Sequence, residues 1–433
     1  MPKKRILLFT YYWPPSAGPG VQRWLKFCKF LSQMDFDITV ISPQNPSASN
    51  FDSSLESEIP QEIELIKTKS FEPFEIYKIL KGKRRKENIG VGGIGLFDNP
   101  SFKQRAFNYI RANYFIPDAR KGWNKFAIKA AEKLIAKQNF DAIITTGPPQ
   151  SSHLIGYYLQ KKFSLPWLAD FRDPWVNVYY NKLFPRTKAS IAKDQKLEDK
   201  VLKNADACLV VSPGLKAEFS NRAKSIEVVY NGFDAEDLPT GRNTKNQKFK
   251  ISYIGNFKPN QNCESLWKAI SNFSKNNREA EFQITLIGNV DPLVQNSISE
   301  FGLDNYVIYE AYKPHKEATL EMVNADVLLF IIPQTEDNEL ILTGKLFEYL
   351  ASGTELLSIG PEKGNASSII KETGRGEMFD YANGNQIEKR LEDLYQSWKD
   401  AEINTKLDRK LVNKYSRLGM TELLATTLRK HIK

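Results

Sequence analysis

Short apolar runs alternate with helix-length amphipathic segments along most of this chain. In the first half, strand-like runs fall at residues 5–11, 38–42, 63–67, 142–145, 167–170, 207–211 and 226–229. Between them, apolar positions recur with helical spacing at 21–33, 123–137, 151–163 and 191–204. Strands alternating with helices predict a parallel sheet covered on both faces. Residues 237–246 are polar and rich in turn formers, which reads as a linker. The alternation then restarts, with strand-like runs at 249–254, 282–287, 307–310, 327–332 and 356–359. A long amphipathic helical stretch from about 387 to 433 ends the chain. The pattern predicts an α/β protein of two Rossmann-like doubly wound domains, residues 1–236 and 247–414, followed by a helix over 415–433. Ligands of such sheets sit beyond the carboxyl ends of the strands. With two such domains facing each other, the natural site is the cleft between them.

Composition narrows the class. The chain has 433 residues, 41% hydrophobic and 26% charged, which suits folded domains with sizeable cores. No apolar run approaches the ~20 residues that span a bilayer. The basic start Lys3-Lys4-Arg5 leads into Ile6-Leu7-Leu8-Phe9, too short an apolar run for a signal peptide, so it reads as a buried first strand of a cytoplasmic protein. Cys28, Cys208 and Cys263 are widely spaced and odd in number, which argues against a disulfide framework or a zinc site. Three histidines are few for a metal hydrolase. The net charge of +10 leaves nucleic acid, anionic lipid or phosphorylated small molecules as partners. The basic residues are scattered and no nucleic-acid-binding signature is present, so no nucleic-acid partner is expected. The densest basic run, Lys81-Gly82-Lys83-Arg84-Arg85-Lys86, has Phe71, Phe74, Ile76, Tyr77, Ile79 and Leu80 before it. It fits either a solvated loop or a peripheral contact with an anionic membrane surface, which for a cytoplasmic protein is the inner face of the cell membrane.

Several strand-to-helix turns carry candidate chemistry. After the first strand, Gly18 and Gly20 bare the backbone where a helix begins, so a phosphate could approach its N–H groups; an ordinary turn fits equally. Arg23, one turn further, faces either solvent or an anion. Ser151 or Ser152 reads as a helix cap, with His153 in the first turn as a substrate contact or a structural residue. In Asp170-Phe171-Arg172-Asp173-Pro174-Trp175, an arginine beside two carboxylates would keep them ionised. That suits binding of an acceptor hydroxyl, although an internal Arg–Asp brace has the same signature. Asp170, Asp173 and His153 are the candidate catalytic residues. The spacing is Asp-x-x-Asp and not the Asp-x-Asp of metal-dependent sugar transfer, so no metal or other cofactor is expected. In the second half, Gly255 ends a strand and Lys258 lies within reach of a phosphate. The strongest segment is Thr343-Gly344-Lys345-Leu346-Phe347-Glu348. Thr343 reads as a cap, and the N–H groups of Gly344 and Lys345 with the Lys345 ammonium would hold a diphosphate. Glu348, a turn on, could accept both hydroxyls of a ribose, and Gly353 closes the helix. A plain capped amphipathic helix would look the same.

Taken in order, the glycine-bearing first loop, Asp170–Trp175, Glu198 through Ala205-Asp206 to Val211-Ser212, Tyr230–Asp234, Gly255 and Lys345–Gly353 resemble the family-4 type of GT-B fold glycosyltransferases, over nearly the whole chain. The resemblance implies retaining transfer of a sugar from a nucleotide diphosphate donor to a glycan or lipid-linked acceptor, as in surface polysaccharide or glycolipid synthesis. It implies that the second domain binds the donor and the first the acceptor, usually without metal, and that the last helix, 415–433, packs back on the first domain. Two departures stand out. The family usually has a second glutamate where this chain has Leu340, beside Glu339. It also usually has an arginine and a lysine where this chain has Asn256 and Gln261. Alternatives are therefore a GT-B nucleotide-sugar epimerase or hydrolase, and a non-catalytic partner subunit with the same fold.

Overall fold

The computed structural model describes residues 3–48, 50–71, 102–239, 245–277, 279–400 and 408–432. The basic run Lys81–Lys86 lies outside them. The chain divides into two compact units, Met1–Asn231 with Met420–Lys433, and Gly232–Gly419.

The first unit is built on seven strands: β1 Lys4–Phe9, β2 Phe36–Pro43, β3 Glu64–Thr68, β4 Ala142–Gly147, β5 Trp167–Phe171, β6 Ala207–Val210 and β7 Ile226–Val228. They pair in parallel in the order β3-β2-β1-β4-β5-β6-β7. The central strands are buried on both faces and read as continuous apolar runs such as Ile6–Phe9, while the edge strands β3 and β7 are partly exposed. One core layer joins Ile6, Leu8, Trp24 and Phe27 with Leu424, Ala425 and Leu428 of the last helix. The other joins Leu7, Phe9, Ile143 and Phe171 with Ile155 and Leu202.

The second unit repeats the plan with β8 Phe249–Ile254, β9 Phe282–Ile287, β10 Val307–Glu310, β11 Val327–Ile331, β12 Glu355–Ile359 and β13 Met378–Phe379. Its order is β10-β9-β8-β11-β12-β13, again parallel. In each unit the first strand neighbours both the second and the fourth, so the order reverses at β1/β4 and at β8/β11. Loops leaving these strands diverge to opposite faces, and the crevice they open is where doubly wound sheets hold ligands.

Three expectations need correction. The final helical stretch is broken into Gly384–Lys399, Arg409–Asn413 and Arg417–His431. Asp408 caps the second piece through the N–H groups of Lys410 and Leu411. The third starts where Arg417 N–H donates to Phe233 O at 2.7 Å. Neither Ser151 nor Ser152 caps the next helix: both lie in the 3-10 turn Gln150–Ser152, and the α-helix begins at His153. The third correction, at Thr343, belongs to the site.

Candidate active site

The switch point of the second unit brings together the end of β8 and the loop leaving β11. That loop runs into the helix Gly344–Ser352, which ends at Gly353 in a left-handed conformation. Thr343 occupies the cap position, yet its hydroxyl makes no capping bond and its Oγ1 is buried without a partner. It is thus not the cap expected from the sequence. Nothing lies within 4 Å of the position where a Cβ on Gly344 would sit, so the backbone there is open. The first-turn N–H groups of a helix have no intrahelical acceptor, and the dipole adds partial positive charge.

Lys345 is held beside that open turn. Its ammonium donates to the Tyr253 hydroxyl at 2.9 Å and lies 4.2 Å from the Tyr253 ring centroid. Tyr253 in turn donates to Asn256 O at 2.9 Å or to Gln261 Oε1 at 3.2 Å, and Gln261 donates to Ile331 O at 2.8 Å. The neutral Gln261 is therefore a buried strut that positions the tyrosine under the lysine. Gly255 at φ +118° makes room: a Cβ there would lie 2.7 Å from both Cε and Nζ of Lys345. Among the described residues Lys345 forms no ion pair within 4 Å. Burial pulls its pKa down to about 8, with Glu348 opposing and the nearby Lys258 reinforcing the shift. Lys258 itself is exposed.

Glu348, one turn along, is half-buried, and burial pushes its carboxyl above the usual range against the pull of His315 and Arg417. His315, the first residue of the helix His315–Asn324, has Nε2 at 3.5 Å from Asp237 and 4.0 Å from Glu348. The hydrogen bond to Asp237 raises its pKa, burial opposes, and Glu348 adds to the rise. The sequence reading passed over His315. Its signal was positional, a histidine opening a helix just beyond the carboxyl end of β10. Leu340 and Glu339 are both exposed, on the short turn Asn338–Leu340.

In the first unit the same region is organised differently. Asp170 is fully buried and meets Arg23 at 2.8 Å, and its carboxylate also accepts from the Trp24 indole at 2.7 Å and the Thr146 hydroxyl at 2.8 Å. Arg23 completes its bonds at Val229 O and Tyr230 O. Burial would raise the Asp170 pKa, but Arg23 and these donors bring it below the usual value. Asp170 is therefore an internal brace with no surface for substrate, and its ion-pair partner is the distant Arg23, with Arg172, two residues on, adding a longer-range pull. Arg23 faces neither solvent nor an open anion site. Arg172 donates instead to Gly147 O at 3.1 Å and Pro148 O at 2.6 Å. Its Nη1 lies 1.2 Å from where a Cβ on Gly20 would be, so this cation rests on the first turn of the helix Pro19–Ser32, whose cap is Gly18.

His153 is also fully buried. It stacks on Phe171 at 4.4 Å, and Nδ1 lies 2.9 Å from the Thr145 hydroxyl, which already accepts from the Trp167 indole. Burial drops the pKa to about 3, so the ring is neutral. Nε2 has no partner and stops against Gly147. Asp173 differs from both: it is only half-buried, and burial raises its pKa against the pull of Arg172. Of the three candidate catalytic residues, it alone keeps an exposed edge.

Two parallel sheets of this strand order, in one chain whose C-terminal helix packs in the first unit, make this a protein of the GT-B fold. Residues 92–237 match the family model described as Glycosyltransferase Family 4. Sucrose-phosphate synthase from Thermosynechococcus elongatus superposes with a TM-score of 0.65 at 15% identity, over 99% of each chain. A TarM mutant from S. aureus, solved with fondaparinux, alpha-GlcNAc-glycerol and UDP, gives 0.60 at 10%, over 98% of this chain and 99% of that one. A Listeria monocytogenes protein assigned as a UDP-N-acetylglucosamine 2-epimerase gives 0.55 at 10%, over 99% and 96%. At these identities the likeness establishes the fold alone. No curated protein sequence matches the chain.

Proposed function

We propose that this chain is a retaining glycosyltransferase that moves a sugar from a nucleoside diphosphate donor to a glycan or lipid-linked acceptor, in surface polysaccharide or glycolipid synthesis, without a metal. The observation that carries the reading is Lys345, desolvated, paired with no carboxylate and fixed beside an open helix N-terminus. A diphosphate there gains the ammonium, the N–H groups of Gly344 and Lys345, and the unpartnered Thr343 hydroxyl. Lys258 adds long-range attraction, and Gly255 keeps the approach clear. Glu348, oriented beside His315, takes the ribose hydroxyls.

The reaction breaks the bond from the anomeric carbon to the diphosphate oxygen and joins that carbon to an acceptor hydroxyl oxygen, while the hydroxyl's proton passes to the departing diphosphate oxygen. The charge appearing on the diphosphate is met by fixed donors, an electrostatic form of catalysis that needs no divalent ion. The first unit binds the acceptor. There Asp173, with its raised pKa, receives the acceptor hydroxyl, while neutral His153 and the Asp170–Arg23 brace hold the strand ends that position it. Gly18, Gly20 and Arg172 form a second cationic helix start able to meet a donor phosphate.

A place at a membrane surface goes with a lipid-linked acceptor. The helix Phe102–Tyr114 supports it by exposing Phe102, Tyr109, Ile110 and Tyr114 beside Arg105. No helix among the described residues is long and apolar enough to cross a membrane.

A thermal-shift panel of nucleoside diphosphates tests the donor site. A true ligand at about 100 times its Kd stabilises by about 2.7 kcal/mol. No shift with any of them would leave a non-catalytic subunit as the better reading. Product analysis then separates the transferase from an epimerase or hydrolase, which the Listeria neighbour keeps as the second reading: conversion of donor without acceptor favours the latter. Turnover that survives EDTA is expected, and its loss would refute the metal-free proposal.

A further inference from the structure

A cavity of about 150 Å³ opens at the carboxyl edge of the first sheet. Tyr12 after β1, Gln150 after β4 and Trp175 after β5 line it, together with Arg111, Arg120 and Arg186. Two carboxylates reach the same wall, and both are occupied from inside. Asp194 accepts from the Trp175 indole at 2.7 Å and is ion-paired with Arg186. Asp118 accepts from the N–H and hydroxyl of Ser151, each at 2.8 Å, and from the Arg120 backbone N–H at 2.9 Å. Arg186 is thereby neutralised. The Arg120 guanidinium forms no hydrogen bond or ion pair among the described residues, and its Nε is buried with no acceptor. Gln150 is only 8% exposed, and its Oε1 is also buried with no donor. Folded proteins seldom leave such groups unmatched, and a guanidinium fork is the side chain suited to the oxygens of a phosphate or carboxylate.

We propose that this cavity binds an anionic group of the acceptor, a phosphate or a carboxylate, gripped by Arg120 while the Gln150 amide meets a neighbouring hydroxyl. The inference rests on the first unit binding the acceptor. It narrows that acceptor to a phosphorylated lipid or glycan, or to a glycan bearing an acidic sugar.

The test uses the full chain, with inorganic phosphate and acetate as probes followed by calorimetric titration. Phosphate also suits the donor helix, so Lys345→Ala is titrated in parallel. Arg120→Gln is expected to weaken one probe by about tenfold or more, and Arg120→Lys by less. Gln150→Leu, whose amide meets a hydroxyl beside the anion and not the anion itself, should leave probe binding within about twofold, and Lys345→Ala should leave this binding in place. A phosphate response without an acetate response names a phosphate; the reverse names a carboxylate. Equal binding to wild type and Arg120→Gln, or loss in Lys345→Ala alone, overturns the proposal. Binding of nucleoside diphosphate to Arg120→Gln should stay within about twofold of wild type, because the changed side chain lies outside the donor helix. Nucleoside diphosphate binding without Arg120-dependent anion binding sinks the cavity alone. Absence of nucleoside diphosphate binding in wild type sinks the donor reading instead.

Discussion

Two cations mark the two switch points, one fully buried and one half-buried, and they are treated in opposite ways. Arg23 in the first unit is enclosed by the Asp170 carboxylate and the carbonyls of Val229 and Tyr230. Among the described residues Lys345 in the second contacts the ring and hydroxyl of Tyr253 and no carboxylate within 4 Å, beside an open helix N-terminus. The first arrangement is complete and serves as scaffold. The second is partly desolvated with no carboxylate within 4 Å among the described residues, an arrangement that the proposed diphosphate would complete. Burial alone does not mark a functional cation; the missing counter-charge does.

The largest expected effect breaks the completed side. Arg23→Met leaves the Asp170 charge buried without its partner, which should cost about 3–5 kcal/mol of stability in urea unfolding. A loss below about 1 kcal/mol would show that Asp170 is not held as a brace.

Acid separates the units next. His153 has a folded pKa of about 3, below its ordinary value near 6.5, so between those values the unfolded chain binds a proton that the folded chain refuses. Its contribution is complete above about pH 6.5 and falls by about 1.4 kcal/mol per unit on acidification, or about 2 kcal/mol by pH 5. His315 has the opposite sign: its pKa is raised, so its contribution is present at low pH and lost as pH rises through the folded value. His153→Asn should remove the acid slope, as read by urea unfolding at several pH values. An unchanged slope would place its origin elsewhere.

Gly255→Ala has a smaller effect with two parts. The φ of +118° strains any side chain, for about 1–3 kcal/mol, and the new methyl displaces the Lys345 ammonium. Weaker nucleotide binding should therefore accompany the loss of stability. Destabilisation with unchanged binding would separate Gly255 from the site.

Glu348→Gln should have the smallest effect, about 1 kcal/mol on nucleoside diphosphate binding and less on inorganic diphosphate. Equal losses for the two ligands would count against a ribose contact.

The sheets were legible because strands buried on both faces are written as apolar runs, and 249–254 and 282–287 match β8 and β9 residue for residue; the exposed edge strand β10 was found at 307–310 from its Val-Ile-Tyr run. The two-residue β13 has too little sequence to show a pattern. The break before Arg417 goes with a pairing of Arg417 N–H with Phe233 O that no local signal announces. At the site, the helix start at Gly344 was readable from its glycine and lysine. The partner of Asp170 was not, because Arg172 lies two residues on in sequence while Arg23 comes 147 residues earlier. His315 beside Glu348 and Gln261 under Tyr253 are likewise products of tertiary folding.

The central claim is that Lys345 and its helix hold the donor diphosphate. Calorimetric titration of the best-binding nucleoside diphosphate into wild type and Lys345→Ala, at pH 7 and pH 9.5, tests it most directly. The account predicts a loss of about 1.5–3 kcal/mol in the variant at pH 7, roughly ten- to 150-fold in Kd. Because the free ammonium has a pKa of about 8, wild-type affinity should also weaken as pH rises above that value, and the variant should lack this dependence. Equal affinity of the two proteins at pH 7 would contradict the account.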